Sequence, residues 1–151
     1  MMKRDEILSL LARFFVGAIY AYAGIIKLIE PLENFRGNVA EYTIIPYAMV
    51  QPIALILPWI ECVFGFFLLS GYLTRLSGLI LSFISLGFFS LIGLSFLLHG
   101  TLPASCGCFG QGGIHLSTSQ VIFLDAFNFL LGLKLFCTAR HPWSLDQFLQ
   151  P

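Results

Sequence analysis

The chain has 151 residues, 58% hydrophobic and only 11% charged, with eight basic and eight acidic side chains that balance to a formal net charge of zero. Soluble domains average about 45–50% apolar and about 25% charged residues, and a protein this small exposes too much surface to hide such an apolar excess from water. Together with a mean hydropathy of +0.88, this excludes a soluble enzyme domain, a secreted disulfide scaffold, a disordered segment and an electrostatic nucleic-acid binder.

What remains is an integral membrane protein. Nothing formally charged lies between Arg13 and Lys27, Glu41 and Glu61, Glu61 and Arg75, or Arg75 and Asp125. A bilayer core of about 30 Å requires about 20 residues of helix. Four spans are expected: Ile7–Ile29, Tyr47–Ser70, Leu76–Leu98 and Thr118–Phe136. Short alternating segments of the barrel type are missing, so the expected fold is all-α, a polytopic four-transmembrane-helix bundle forming a single domain over residues 1–151.

The first span opens with Lys3 and Arg4 and contains Ala21-Tyr22-Ala23 before Gly24, which imitates a cleavable signal peptide. Arg13 interrupts the apolar stretch, so the span is expected to be retained. Gly17, Ala21 and Gly24 here, and Gly78 and Ser82 in the third span, are small residues at helical spacing that let backbones approach closely. Lys3, Arg4, Arg75 and Arg140, with Arg13 and Lys134 toward the same side, outweigh Lys27 and Arg36 on the other. That bias predicts both termini in the cytoplasm and a multi-pass protein of the cytoplasmic membrane.

The Pro31–Pro46 connection then faces outward. Within it Phe35, Val39 and Tyr42 recur at helical spacing after Pro31, with Glu33, Arg36 and Glu41 between them. This predicts a short interfacial helix lying on the outer leaflet. Arg13, Glu61 and Asp125 fall inside spans, where an ionised group must pair, neutralise or line a polar cavity. Counted from the outer surface of each helix, Lys27 sits at about 3 Å, Asp125 at about 10 Å, Glu61 at about 20 Å and Arg13 at about 24 Å. Depth therefore pairs Arg13 with Glu61 and Lys27 with Asp125. These pairs either staple the helices together or hold protons in the bundle.

Four cysteines are not equivalent. Cys62 in the second span and Cys137 at the end of the fourth read as small buried hydrophobes. Cys106 and Cys108 lie in Ser105-Cys106-Gly107-Cys108-Phe109-Gly110, in the second outer connection. Outside the cytoplasm a thiol pair can oxidise. A bridge between positions i and i+2 closes a small, strained ring, which makes it labile and exchangeable, and so short a loop adds little stability. Metal binding by Cys106 and Cys108 with His99 or His115 is an alternative, as is an inert pair.

Arg13, Gly17, Gly24 and Lys27, then Tyr42–Pro46, Pro58-Trp59-Ile60-Glu61, Gly65 and Gly71, and finally Cys106-Gly107-Cys108-Phe109-Gly110 resemble the DoxX/MauE group of small four-helix membrane proteins. The cysteine block is most similar to the MauE branch. The resemblance implies membrane redox work: maturation of a disulfide-rich dehydrogenase in the MauE branch, quinone-linked thiosulfate oxidation in DoxD-type relatives. The architecture also looks like the quinone-coupled disulfide generators, whose Cys-x-x-Cys pair this chain lacks.

The expected function is thiol–disulfide exchange on the periplasmic side. Cys106 and Cys108 form the exchangeable pair, Asp125 or His115 accepts protons, and a quinone among the outer helix halves is the expected electron acceptor. No other cofactor and no resident metal is expected. Partners would be the lipid bilayer and a periplasmic thiol protein or small sulfur compound, with no nucleic acid. The rival readings are a non-catalytic accessory subunit of a larger membrane complex and a metal-binding or transport component.

Overall fold

The computed structural model describes residues 4–42, 44–100, 109 and 116–138. Among them are five helices: α1 (Arg4–Ile29), α2 (Leu32–Ala40), α3 (Tyr47–Ser70), α4 (Thr74–His99) and α5 (Thr118–Cys137). Four of these, α1, α3, α4 and α5, are long and apolar enough to cross a membrane, and the chain forms a four-helix membrane bundle. Tyr22, Phe66, Phe83 and Phe123 point outward, as suits a surface solvated by lipid.

Local chemistry sets the ends. Pro31 and Pro46 stand immediately before α2 and α3, where a missing N–H costs nothing because the first helical N–H groups have no partner within the helix. Gly71 closes α3 in the left-handed conformation (φ 73°), and the N–H groups of Gly71 and Tyr72 donate to the carbonyls of Leu68 and Phe67. Before α5, the Ser117 N–H donates to Gln120 Oε1 at 3.0 Å, one half of a capping box.

Two tight seams hold the bundle together. In the first, α1 crosses α3 through Gly17, Ala21 and Gly24. A methyl group added at Gly24 would lie 2.6 Å from the Cys62 backbone nitrogen, and one at Gly65 would lie 2.5 Å from that of Ala21. In the second, α4 meets α5 where Gly78 faces Gly132, with the Ser82 hydroxyl donating to the Gly78 carbonyl at 2.8 Å. The small residues expected from spacing are thus the contact points. Helix α1 is the central element. Its buried face runs Ser9, Ala12, Val16, Tyr20, Ala23, Lys27, a helical stripe, and half of its apolar stretch is covered against 28% in each of the other three.

Helix α2 is the short helix expected between the first two spans. It forms where the amphipathic pattern places it, but its apolar face is turned into the protein. Phe35 and Val39 are buried against Val50 and Ala54 of α3, so α2 covers the end of α1 alongside the first turns of α3. On its exposed side Arg36 donates to the Tyr47 hydroxyl (3.3 Å) and to Glu33 (3.4 Å). The Tyr47 bond and the Glu33 charge hold that guanidinium pKa above its usual value.

Candidate functional site: a buried ion pair beside a polar cavity

The register of the α1–α3 seam decides which charges meet. Gly24 lies against Cys62 and Ala21 against Gly65; extending that register by one residue brings Glu61 level with Ile25, within one turn of Lys27. Lys27 Nζ donates to Glu61 Oε2 at 2.7 Å and to Oε1 at 2.9 Å, with the two side chains 0% and 1% exposed. The lysine has three N–H donors. Two are spent on the carboxylate, and the ammonium also lies 4.9 Å from the centroid of the Phe35 ring and 5.4 Å from that of Phe88. Those faces supply cation–π attraction where water is excluded.

This corrects the pairing expected from depth. Glu61 belongs to Lys27, not to Arg13, and Lys27 does not meet Asp125. Arg13 lies about 21 Å from Lys27 along α1, beyond the reach of any side chain on Glu61's level. Counting depth from the start of each helix misplaced Glu61, because the first turns of α3 run beside α2, past the end of α1. Arg13 is nonetheless buried, 5.3 Å from the Phe14 ring centroid.

Asp125 lies inward on α5 and lines a small cavity of about 20 Å³ together with Glu61, Asn128, Tyr20, Phe88 and Phe109. Asp125 and Asn128 share a face, being three residues apart on a helix. Asn128 is 2% exposed, and its Oδ1 has no hydrogen-bond partner among the described residues. The Tyr20 hydroxyl bonds to the Ser85 hydroxyl and donates to the Leu81 carbonyl at 3.3 Å, bracing α1 against α4.

Phe109 joins this site to the cysteine motif. It is buried in a cluster with Ala23, Tyr42, Ile92 and Val121, packs 6.4 Å from the Tyr22 ring and lines the cavity beside Asp125. One peptide bond separates it from Cys108. Cys106, Cys108 and His115 lie outside the described residues, as does the side chain of His99. Of the other cysteines, Cys62 is half-buried rather than fully enclosed, and Cys137 is exposed; both are free thiols. Among the described residues no three His, Cys, Asp or Glu side chains converge as metal ligands would.

A second, apolar groove runs between α2, α3 and α4. It measures about 150 Å³ and is lined by Phe35, Val39, Tyr42, Leu57, Gly87 and Phe88 among others. A methyl group at Gly87 would meet nothing within 4 Å. Phe88 lines both the groove and the polar cavity.

Sequence reasoning located Glu61, Asp125 and Lys27 from their charge, but passed over Asn128 and Tyr20. The signal was present: an asparagine in the middle of an apolar span, three residues after an aspartate.

No solved structure matches the chain. A curated relative, the methylamine utilization protein MauE of Methylophilus methylotrophus, is 31% identical over 107 residues, covering 71% of this chain. The chain spans about half the length of that relative, 55% of it. The family model for methylamine utilisation protein MauE matches residues 5–138, the whole bundle and the cysteine connection included, and the chain belongs to the MauE family.

Proposed function

We propose that this MauE-family protein sits in the cytoplasmic membrane with both termini in the cytoplasm, and carries out or assists thiol–disulfide exchange on its outer face in the service of methylamine utilisation. The observation that carries the reading is Phe109. Its side chain is built into the core beside Asp125 and Glu61, and Cys108 is the residue that precedes it in the sequence. A substrate thiol must lose its proton before its thiolate can attack the disulfide; Asp125 is the acceptor that would take that proton and pass it on to the leaving cysteine, and His115 is the second candidate.

The exchange balances simply. A substrate thiolate attacks one sulfur of an oxidised Cys106–Cys108 pair, breaking that bond and forming a mixed disulfide. The second substrate thiolate displaces the remaining cysteine. The substrate leaves as a disulfide, its two electrons remain on Cys106 and Cys108, and its two thiol protons pass to them. A membrane quinone is the acceptor class that would restore the pair, supplying when bound a sink for two electrons and two protons. The apolar groove between α2, α3 and α4 would take the hydrophobic part of such a molecule. Its about 150 Å³ is the size of apolar cavities that take up one benzene, and Phe35, Tyr42, Gly87 and Phe88 would hold it.

Cys106→Ser or Cys108→Ser abolishes oxidation of a reduced periplasmic dithiol protein, read by mass shift after alkylation, and leaves the helical fold intact because the ring adds little stability. Full activity in the double serine variant would overturn the reading in favour of a non-catalytic accessory subunit. Stoichiometric zinc or copper on the pair would overturn it in favour of a metal-binding component.

A further inference from the structure

The cavity among α1, α3 and α5 has the chemistry of a hydration site. Its volume of about 20 Å³ exceeds the about 10–15 Å³ needed to admit one water molecule, and is too small for an organic ligand. Polar groups reach it from three helices: Tyr20 from α1, Glu61 from α3, Asp125 and Asn128 from α5. Asn128 Oδ1 is buried with no hydrogen-bond partner among the described residues, a desolvated acceptor that a dry cavity would leave uncompensated. Glu61 accepts from Lys27 through both carboxylate oxygens, and each oxygen retains a second lone pair.

We infer that this cavity binds one water molecule, which donates to Asn128 Oδ1 and to a carboxylate oxygen of Glu61 and brings Asp125 into the same hydrogen-bonded network. Two carboxylates on different helices thereby become one hydrated proton-accepting site, with Lys27 fixing charge on the Glu61 side. A buried water typically makes two to four hydrogen bonds to otherwise unsatisfied polar groups, and this cavity offers that number. The hydration stands on its own geometry; only its use in taking up thiol protons rests on the exchange reading above.

X-ray radiolytic labelling of the full-length protein in nanodiscs tests it, because radicals generated from a bound water oxidise the side chains next to it even where bulk water cannot reach. Tyr20, 5% exposed, takes up oxygen in the wild type. Asn128→Leu, which removes the acceptor and fills the space, loses most of that label, while exposed Tyr47 labels as before. Ala23→Val fills the same cavity from α1 with every polar group kept, and gives the same loss should Asn128→Leu fail to fold. The Cys106→Ser/Cys108→Ser double variant keeps the label, which separates hydration from redox function. Tyr20 labelling that is absent from the wild type, or unchanged in the folded cavity-filling variants, overturns the inference.

Discussion

The seam between α1 and α3 and the seam between α4 and α5 are closed by the same device, small residues that bring backbones into contact, yet they differ in what they bury. The second is sealed by neutral groups, Gly78 against Gly132 and the Ser82 hydroxyl on the Gly78 carbonyl. The first carries in addition the Lys27–Glu61 ion pair, enclosed by Phe35 and Phe88. Replacing a buried ion pair by apolar residues of similar volume is often neutral or stabilising, because desolvation offsets much of the attraction. A packing seam therefore does not require one, as the α4–α5 contact demonstrates. The charge in the first seam sits at the wall of the small cavity that Asp125, Asn128 and Phe109 also line.

Removing half of the pair should have the largest effect. Lys27→Met leaves Glu61 buried without its cation and costs about 3–5 kcal/mol in detergent unfolding. The double change Lys27→Met/Glu61→Leu recovers most of that loss, which would place the pair outside the stability requirement of the seam. Strict additivity of the two single effects would mean that the residues do not act on each other. A smaller effect compares the seams as packing surfaces. Gly65→Ala and Gly132→Ala each cost about 1–3 kcal/mol by overpacking, read from the same unfolding curves. Gly65→Ala is the costlier, because its methyl meets the α1 backbone at Ala21. At Gly132 part of the obstruction is the Ser82 side chain, which can rotate away. Equal costs would mean that both seams yield alike.

The spanning helices were legible to within three residues at each end. The expected span 47–70 is α3, and Thr118–Phe136 stops one residue short of the end of α5; charge-free length and the flanking Pro and Gly residues fix such boundaries. Helix α2 was legible as an amphipathic helix but not in its placement, since amphipathicity specifies an apolar face without specifying whether lipid or protein covers it. The charged members of the site were legible because lipid makes any ionised group conspicuous. Their partners were not, because pairing depends on the register between α1 and α3, which Gly24 and Gly65 set through tertiary contact. Asn128 escaped for a different reason: a neutral amide in a span carries no formal charge, and its significance emerges only when its oxygen is found buried without a hydrogen-bond partner and its residue lining the cavity. Phe109 read as part of a motif, while its burial beside Asp125 is what links that motif to the carboxylates.

The exchange reading turns on the lability of the Cys106–Cys108 pair, and a redox titration of the membrane-embedded protein tests it most directly. Equilibration against thiol–disulfide buffers, followed by acid quench, alkylation and mass measurement, gives the midpoint potential of the pair. A ring closed across Gly107 is strained toward reduction, so the predicted potential lies well above the roughly −300 mV below which structural disulfides fall. A pair that stays reduced in air-equilibrated membranes, or one whose potential lies at or below that limit, would contradict the account.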